Sequence, residues 1–242
     1  DFAAQCEGGI RVDAERFLAR RAEVVEGLVS GVERLLEMHG VARYVGRGRL
    51  AGEGLVEVQR EGEPERLEAR HIILATGAVP SVPPIPGADL PGVATSDGLL
   101  ALDRLPESLV VIGGSIVGTE FASIYAALGA RVEILEKFSF LPAVEEQLAG
   151  RYRSLLRRAG VPVATEVDVE EIAEAEGGLR VTYTPRSGRQ KGERLTAEGE
   201  VVLMATGRRP YIEGLGLEEA GVRADHGAVV VDEHLATSVP GV

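Results

Sequence analysis

Two short stretches carry side chains and spacings that can do chemistry. The first is VVIGGSIVGTEF, Val110 to Phe121, where an apolar run breaks at Gly113 and Gly114, passes Ser115 and reaches Gly118. The second is ARVEILE, a strand-like run ending in the carboxylate of Glu136, 23 residues beyond Gly113. A strand that breaks into glycines and re-enters as a helix leaves free backbone N–H groups at the positive end of the helix dipole, which suits a phosphate. In such a turn Gly113 permits the tight bend, position 115 lies where the backbone approaches a pyrophosphate, and Gly118 lets helix and strand pack closely. The usual pattern has a second glycine at 115. Serine adds only a hydroxymethyl group, which fits if φ is negative there, and its hydroxyl can itself donate to phosphate. A carboxylate at the end of the next strand accepts hydrogen bonds from both ribose hydroxyls of an adenosine and repels a 2′-phosphate. Together the two stretches point to NAD rather than NADP. Lys137, next to that acid, softens the exclusion.

These residues need a scaffold. LVVIGG reads as a buried strand, Ser115 to Leu128 as a helix closed by Gly129, and ARVEILE as a second strand. Glu145 to Arg158 reads as a helix followed by Gly160, and PVATEV, LRVTYT and VVLMAT as further strands. Strand, helix, strand, helix, strand implies a parallel sheet with helices on its faces. Upstream, residues 13–39 read as one helix: Asp13 can cap it, Phe17, Leu18, Val25, Leu28, Val32, Leu35 and Leu36 recur at helical spacing, and Gly40 can end it. Short β-like runs follow at VARYVG from Val41, GRL near Gly48, LVEVQ from Leu55 and HIILAT from His71. The proline-rich VPSVPPIPG, Val79 to Gly87, reads as an extended connector and a domain boundary.

The chain also repeats itself. LVEVQREGEPERLEARHIILATGAVP and LRVTYTPRSGRQKGERLTAEGEVVLMATGRRP share a strand, a polar turn, ERL and an apolar run ending in Ala-Thr-Gly-x-x-Pro, with Thr76 and Thr206 130 residues apart. The shared order predicts a duplicated architecture. The glycine turn lies 93 residues before Thr206, so its counterpart for the first copy would fall before residue 1. The chain is therefore expected to lack the opening βαβ unit of its first domain and to be the middle of something longer. At the carboxyl ends of such strands, Thr76 and Gly77 would border the first domain's cofactor and Gly207 would border NAD.

Composition narrows the rest. Of 242 residues, 26 are Lys or Arg and 38 Asp or Glu, a formal charge of −12 that repels phosphate backbones and anionic lipid heads. Nucleic acid and membrane partners are not expected. No apolar run approaches the roughly 20 residues of a membrane span, and DFAAQCEGG is not a signal peptide, so a cytoplasmic location is expected. Cys6 reads as a free thiol near a chain end. His39, His71, His226 and His234 show neither metal-ligand spacing nor a paired nucleophile, and no metal site is expected. The acidic EEIAEAEGG reads as a solvated face or turn. Arg208 and Arg209 would pair with local acids or approach a cofactor phosphate.

HIILATGAVPSVPPIPG, SLVVIGGSIVGTEFASIYAALGARVEILE, VVLMATGRRPYIEGLGLEEAGV and VDEHLATSVPGV together resemble the middle of the class I flavin-dependent pyridine nucleotide–disulfide oxidoreductases. Within them the chain looks most like the dihydrolipoamide dehydrogenase branch. Some members, mercuric reductase-like ones included, also carry serine at the position of Ser115. The resemblance implies an α/β fold: a Rossmann-like, doubly wound NAD-binding domain flanked by portions of an FAD-binding domain, in three layers with a β-meander. Expected bounds are 1–78 for an FAD-binding domain lacking its N-terminal βαβ unit, 79–210 for the NAD-binding domain and 211–242 for a truncated return segment.

It also implies roles. Gly113, Gly114, Ser115, Ile116, Val117, Gly118, Thr119 and Glu120 would hold the NAD pyrophosphate and face the nicotinamide side. Glu136 would bind the adenine ribose, Val169 would lie against adenine, and Gly207 near the nicotinamide half. Gly48, Thr76, Gly77 and Ala78 match FAD contact positions, and Ile116 sits where some relatives place a tyrosine lid over the flavin. The family's opening FAD fingerprint, its Cys-x4-Cys redox pair (of which Cys6 is not a member), the Gly-Asp beyond Val242 and the C-terminal dimer domain with its His–Glu pair are not matched. No catalytic residue is therefore expected in this chain, and no turnover from it alone. The full enzyme would be a homodimer passing electrons from dihydrolipoyl groups of an acyltransferase or carrier protein through a disulfide and FAD to NAD+. The alternatives are a mercuric reductase or NADH oxidase relative, and a non-catalytic NAD(H)-binding module.

Overall fold

The computed structural model describes residues 12–242; Cys6 lies outside them. Two compact units form, one of residues up to Glu26 with Pro80–Gly207, the other of Gly27–Val79 with Arg208–Val242. In chain order the elements are α1 (Ala14–Met38), β1 (Arg47–Leu50), β2 (Leu55–Gln59), β3 (Glu65–Glu68), β4 (Ala78–Pro80), β5 (Val93–Thr95), α2 (Ser96–Leu100), β6 (Ser108–Ile112) and α3 (Ile116–Ala127). Then come β7 (Arg131–Glu136), α4 (Glu146–Arg158), β8 (Val163–Thr165), β9 (Val167–Ala175), β10 (Gly178–Pro185), β11 (Leu195–Gly199), β12 (Val201–Met204), β13 (Arg208–Pro210), β14 (Ala224–Asp225) and β15 (Ala228–Val229). No helix among them is long and apolar enough to cross a membrane.

The first unit is built on a parallel sheet of order β5-β12-β6-β7-β8. Successive side chains alternate faces. Leu109, Val111, Val132, Ile134, Val201 and Leu203 pack one way, against Ala122 and Tyr125 of α3 and Ala149 and Leu156 of α4. Val110, Ile112, Leu135, Val202 and Met204 pack the other way. Burying each such side chain stabilises the fold by roughly 1.5–3 kcal/mol, and a one-residue slip would turn both sets onto the wrong face. Strand–helix alternation predicts helices on both faces. The second face is covered by the antiparallel meander β11-β10-β9, through Ile172, Leu179, Val181, Tyr183 and Ala197. The result is three layers, meander, parallel sheet and helices. The acidic run at 170–178 is thus largely strand: Ile172 is buried, while Glu170 and Glu171 pair outward with Arg194.

Helix ends follow their local chemistry. The carboxylate of Glu145 accepts the N–H groups of Gln147 and Leu148, both at 3.0 Å, and starts α4. Asp13 Oδ1 accepts the Arg16 N–H at 3.0 Å and starts α1. The apolar positions of α1 are not buried: Val25, Leu28 and Leu35 are 56%, 68% and 55% exposed.

The second unit contains the antiparallel sheet β1-β2-β3 and a core of Leu50, Leu215, Leu217 and Val222, with Val56, Ile72 and Leu74 against it. Glu57 on β2 lies between Arg49 and Arg66, and the Arg49 guanidinium foremost holds its carboxyl below the usual range. The duplication is visible, since β1-β2-β3 and β9-β10-β11 are equivalent meanders. Two sequence expectations fail here. VARYVG and HIILAT are not strands. Neither has a ladder partner among the described residues, and a lone extended segment leaves its polar backbone unpaired. In HIILAT the Ile72 N–H donates to Gly241 O at 2.7 Å while Ile73 is 89% exposed. Its counterpart VVLM becomes β12 because β5 and β6 flank it.

The two Ala-Thr-Gly-x-x-Pro turns match atom by atom. In the second unit Thr76 Oγ1 donates to Tyr211 O at 2.7 Å and the Tyr211 N–H donates to Gly77 O at 3.0 Å. In the first, Thr206 Oγ1 donates to Ser81 O at 2.6 Å and the Ser81 N–H donates to Gly207 O at 2.9 Å.

Candidate functional site

β6 and β12 are neighbours, but the chain leaves β6 toward β7 on one side, while β12 and β5 lie on the other. At such a switch point the loops after the two strands diverge and open a crevice at their carboxyl ends. Gly113 follows β6 and Ala205 follows β12, and the Ala205 N–H still donates to Ile112 O at 2.8 Å. Gly113 has φ +115°, and a Cβ there would lie 2.2 Å from Ala205 O. A Cβ on Gly118 would lie 1.9 Å from Gly113 O, so α3 can meet the turn only through a glycine. Between them Ser115 has φ −94° and serves as the N-cap of α3 with no side-chain cap hydrogen bond. The negative φ meets the condition for serine at this position, and the hydroxyl is available to a ligand. The N–H groups of Ser115 through Gly118 precede the first intrahelical bond, which Thr119 makes to Ser115 O at 3.0 Å.

Glu136 ends β7 and is only 7% exposed. Its Oε2 accepts the Gly114 N–H at 2.5 Å and its Oε1 the Phe138 N–H at 2.6 Å. Each carboxylate oxygen has about two acceptor sites, so one on each oxygen remains for a sugar hydroxyl. Gly114 is tied to this acid by space as well: a Cβ on it would lie 3.0 Å from Glu136 Cβ and 3.2 Å from Phe140 Cδ2.

Gly113, Ser115, Glu136, Val169 and Gly207 line a cleft of about 480 Å³ at this point. Gly114, Gly118 and Thr119 are buried behind it, and Val117 packs on the helix-side core. Ile116 at the start of α3 and Glu120 one turn further on are exposed. The cleft also takes in Lys137, the neighbour of Glu136, together with Pro83, Ile85, Phe138, Pro142 and Asp168, which the motif spacing does not mark. Pro83 and Ile85 come from the stretch read as a connector. It is laid against β9: the Ile172 N–H donates to Pro86 O at 2.8 Å, and a Cβ on Gly87 would lie 1.9 Å from Ile172 O. The signal was present in Ile85, an apolar residue among prolines.

The rim carries charge. Asp168 stands 3.8 Å from Lys137 Nζ and 3.6 Å from Arg186 Nε, and both cations lie about 6 Å from the Phe138 ring centre. A larger cleft of about 840 Å³ opens beside Phe138, lined among others by Phe140, Glu146, Arg153 and Arg186; it contains none of the predicted site residues. On β7, Glu133 faces the meander layer, and burial pushes its carboxyl above the usual range.

In the second unit Gly48 lies on β1 with open space where a Cβ would be, and Thr76, Gly77 and Ala78 are exposed. Tyr211 draws these segments together, since Arg47 Nη2 donates to its hydroxyl at 3.4 Å and Thr76 to its carbonyl. The Thr76 hydroxyl and the Gly77 and Ala78 carbonyls are thus all engaged within this unit. Arg208 donates to Ala78 O and Arg209 pairs with Glu213. His226 lies 3.7 Å from Asp225 and His234 3.7 Å from Glu233, all exposed, and no metal-binding group of three His, Cys, Asp or Glu occurs among the described residues.

Comparison with known proteins agrees with this architecture. Residues 4–242 match the family described as pyridine nucleotide-disulphide oxidoreductase. A dihydrolipoyl dehydrogenase of Acholeplasma laidlawii is 32% identical, over all of this chain and 69% of its own length. Dihydrolipoyl dehydrogenase 3 of Pseudomonas aeruginosa is 36% identical over 97% of this chain and 51% of its own. The structure of the Cu(II) complex of RclA, an HOCl-induced flavoprotein disulfide reductase of Escherichia coli, superposes with a TM-score of 0.83. It is 32% identical and covers 94% of this chain and 50% of that one. The chain thus spans about half the length of most relatives it matches. A parallel Rossmann-like sheet with a meander on one face, a glycine turn at its switch point and a match running almost from end to end place this chain in the pyridine nucleotide–disulphide oxidoreductase family.

Proposed function

We propose that the cleft at the switch point binds NAD, and that the chain is the NAD-binding and partial FAD-binding portion of a dihydrolipoamide dehydrogenase. The observation that carries the first part is the paired steric demand at Gly113 and Gly118, which holds the N-terminus of α3 against the cleft that Glu136 lines. The N–H groups of residues 115–118 and the Ser115 hydroxyl would receive the pyrophosphate. Glu136, held by two backbone donors, would accept the adenine ribose hydroxyls. Val169 would flank adenine, and Gly207, with φ +119° and no atom within 4 Å of a notional Cβ, would leave room for the nicotinamide half. Nicotinamide, when bound, supplies the hydride acceptor, and FAD the route to it from a disulfide. Gly48, Thr76, Gly77 and Ala78 would contribute to the flavin wall. The chain's own work is to bind, orient and exclude water.

The substrate assignment rests on the relatives named dihydrolipoyl dehydrogenase, and it brings with it dihydrolipoyl groups on an acyltransferase or carrier protein as partners, a homodimer and a cytoplasmic setting. The likeness to an HOCl-induced flavoprotein disulfide reductase supports a second reading, in which the disulfide substrate differs while the NAD cleft is the same. Titration of the chain with NADH, followed by the nucleotide's own emission because the chain has no tryptophan, tests the cleft. Saturable binding is expected, and its absence refutes the reading. Turnover of the longer protein with lipoamide separates the two substrates, and the chain alone is expected to turn over neither.

A further inference from the structure

Asp168 occupies an unusual place in the cleft. It sits in β9 at the rim, 46% exposed, with Lys137 Nζ at 3.8 Å from one carboxylate oxygen and Arg186 Nε at 3.6 Å from the other. Lys137 directly follows the acid that ends β7, and Arg186 follows β10. Their positions are further set by backbone contacts: Arg186 Nη2 donates to the Lys137 carbonyl, and the Arg186 N–H donates to Glu166 O at 2.7 Å. Exposed ion pairs of this length contribute little to stability, so holding the fold together does not account for three charges converging where Asp168 and Lys137 line the cleft and Arg186 lines its neighbour.

Their placement has a chemical consequence. Two cations beside a ribose-binding carboxylate would attract a phosphate on the sugar's 2′-oxygen. Glu136 alone opposes them with one charge against two. With Asp168 between the cations, the charges of Glu136, Lys137, Asp168 and Arg186 sum to zero, and each cation is paired with a carboxylate instead of being left for a phosphate. We propose that Asp168 is a specificity-determining residue, which engages Lys137 and Arg186 and so keeps the cleft selective for NAD over NADP. This rests on the assignment of the cleft to NAD. It goes beyond the acid at the end of β7, because it places part of the discrimination on a different strand.

The test compares NADH and NADPH binding by nucleotide emission in the wild-type chain, Asp168→Asn and Asp168→Asn/Lys137→Gln, at low and high salt. Asp168→Asn is expected to shift the ratio of the two dissociation constants toward NADPH by about tenfold at low salt, and by less at high salt. Adding Lys137→Gln should reverse most of the shift. Where the asparagine variant does not fold, as judged by thermal unfolding, Asp168→Ser reads the same loss of charge. Asp168→Glu should keep the wild-type ratio. A folded Asp168→Asn chain with an unchanged ratio overturns this inference alone. A wild-type chain that binds neither nucleotide overturns the assignment of the cleft, and this inference with it.

Discussion

Gly118→Ala puts the least possible matter at the tightest point of the site. The added methyl would sit 1.9 Å from Gly113 O and 3.1 Å from both Gly113 C and Val111 Cγ1. A carbon–oxygen contact settles at about 3.3 Å, so the first turn of α3 must back away from the glycine turn by roughly 1.4 Å. Overpacking costs about 1–3 kcal/mol. The upper end applies because the main obstacle is backbone, which has no rotamer to escape into. At roughly 2–4 °C per kcal/mol for a chain of this size, the unfolding midpoint should fall by about 6–12 °C. The same displacement carries the free N–H groups away from the cleft, and losing one charge-assisted hydrogen bond lowers affinity about tenfold or more. Thermal unfolding and NADH titration read the two effects separately. Gly150→Ala is the control. It lies inside α4 with nothing within 4 Å of a new Cβ, so it should stabilise by up to about 1 kcal/mol and leave binding alone. An alanine at 118 that changes neither midpoint nor affinity would refute the claim that helix and turn meet only through glycine.

Glu136→Arg removes the acceptor from the ribose position, so NADH binding should weaken and NADPH be relatively favoured; an unchanged preference in competition titrations takes Glu136 out of the site. Glu133→Gln tests the half-buried acid under the meander. Because burial raises the folded carboxyl above its unfolded value, the fold holds the proton more tightly, and wild-type stability falls as pH rises from the unfolded value through the folded one. The glutamine variant should therefore gain on wild type in denaturant unfolding at neutral pH, and that gain should vanish in acid. Thr206→Val deletes the hydroxyl that donates to Ser81 O at 2.6 Å, and should cost about 0.5–1.5 kcal/mol in the same assay.

The layers of the first unit were legible because strands buried on both sides are near-continuous apolar runs: VVI and VVLM are such runs, and VEIL is broken only by Glu133. The glycine turn was legible because its demands are local: a φ of +115° and a 1.9 Å clash constrain the residue type at one position each. What failed was what depends on neighbours. HIILAT is nearly as apolar as VVLMAT and ends in the same Ala-Thr, but a strand is a property of a ladder, and among the described residues the second run has strands beside it and the first has none. The helical spacing in α1 states that one side is apolar without naming the surface that side meets. Pro83, Ile85 and Asp168 reach the cleft from segments far from it in sequence, and no local pattern marks a residue that contributes only through its position in space.

The doublet Gly113-Gly114 contains two glycines present for unrelated reasons. The first answers to the main chain, whose bend no side chain tolerates. The second answers to Glu136, whose β- and γ-carbons fill the space a methyl at 114 would need. Residues 114 and 136 therefore share a single allotment of volume. An aspartate at 136 would keep both of those carbons, so shortening the acid would not free position 114; only a residue without them, with Phe140 also giving way, would let the glycine go.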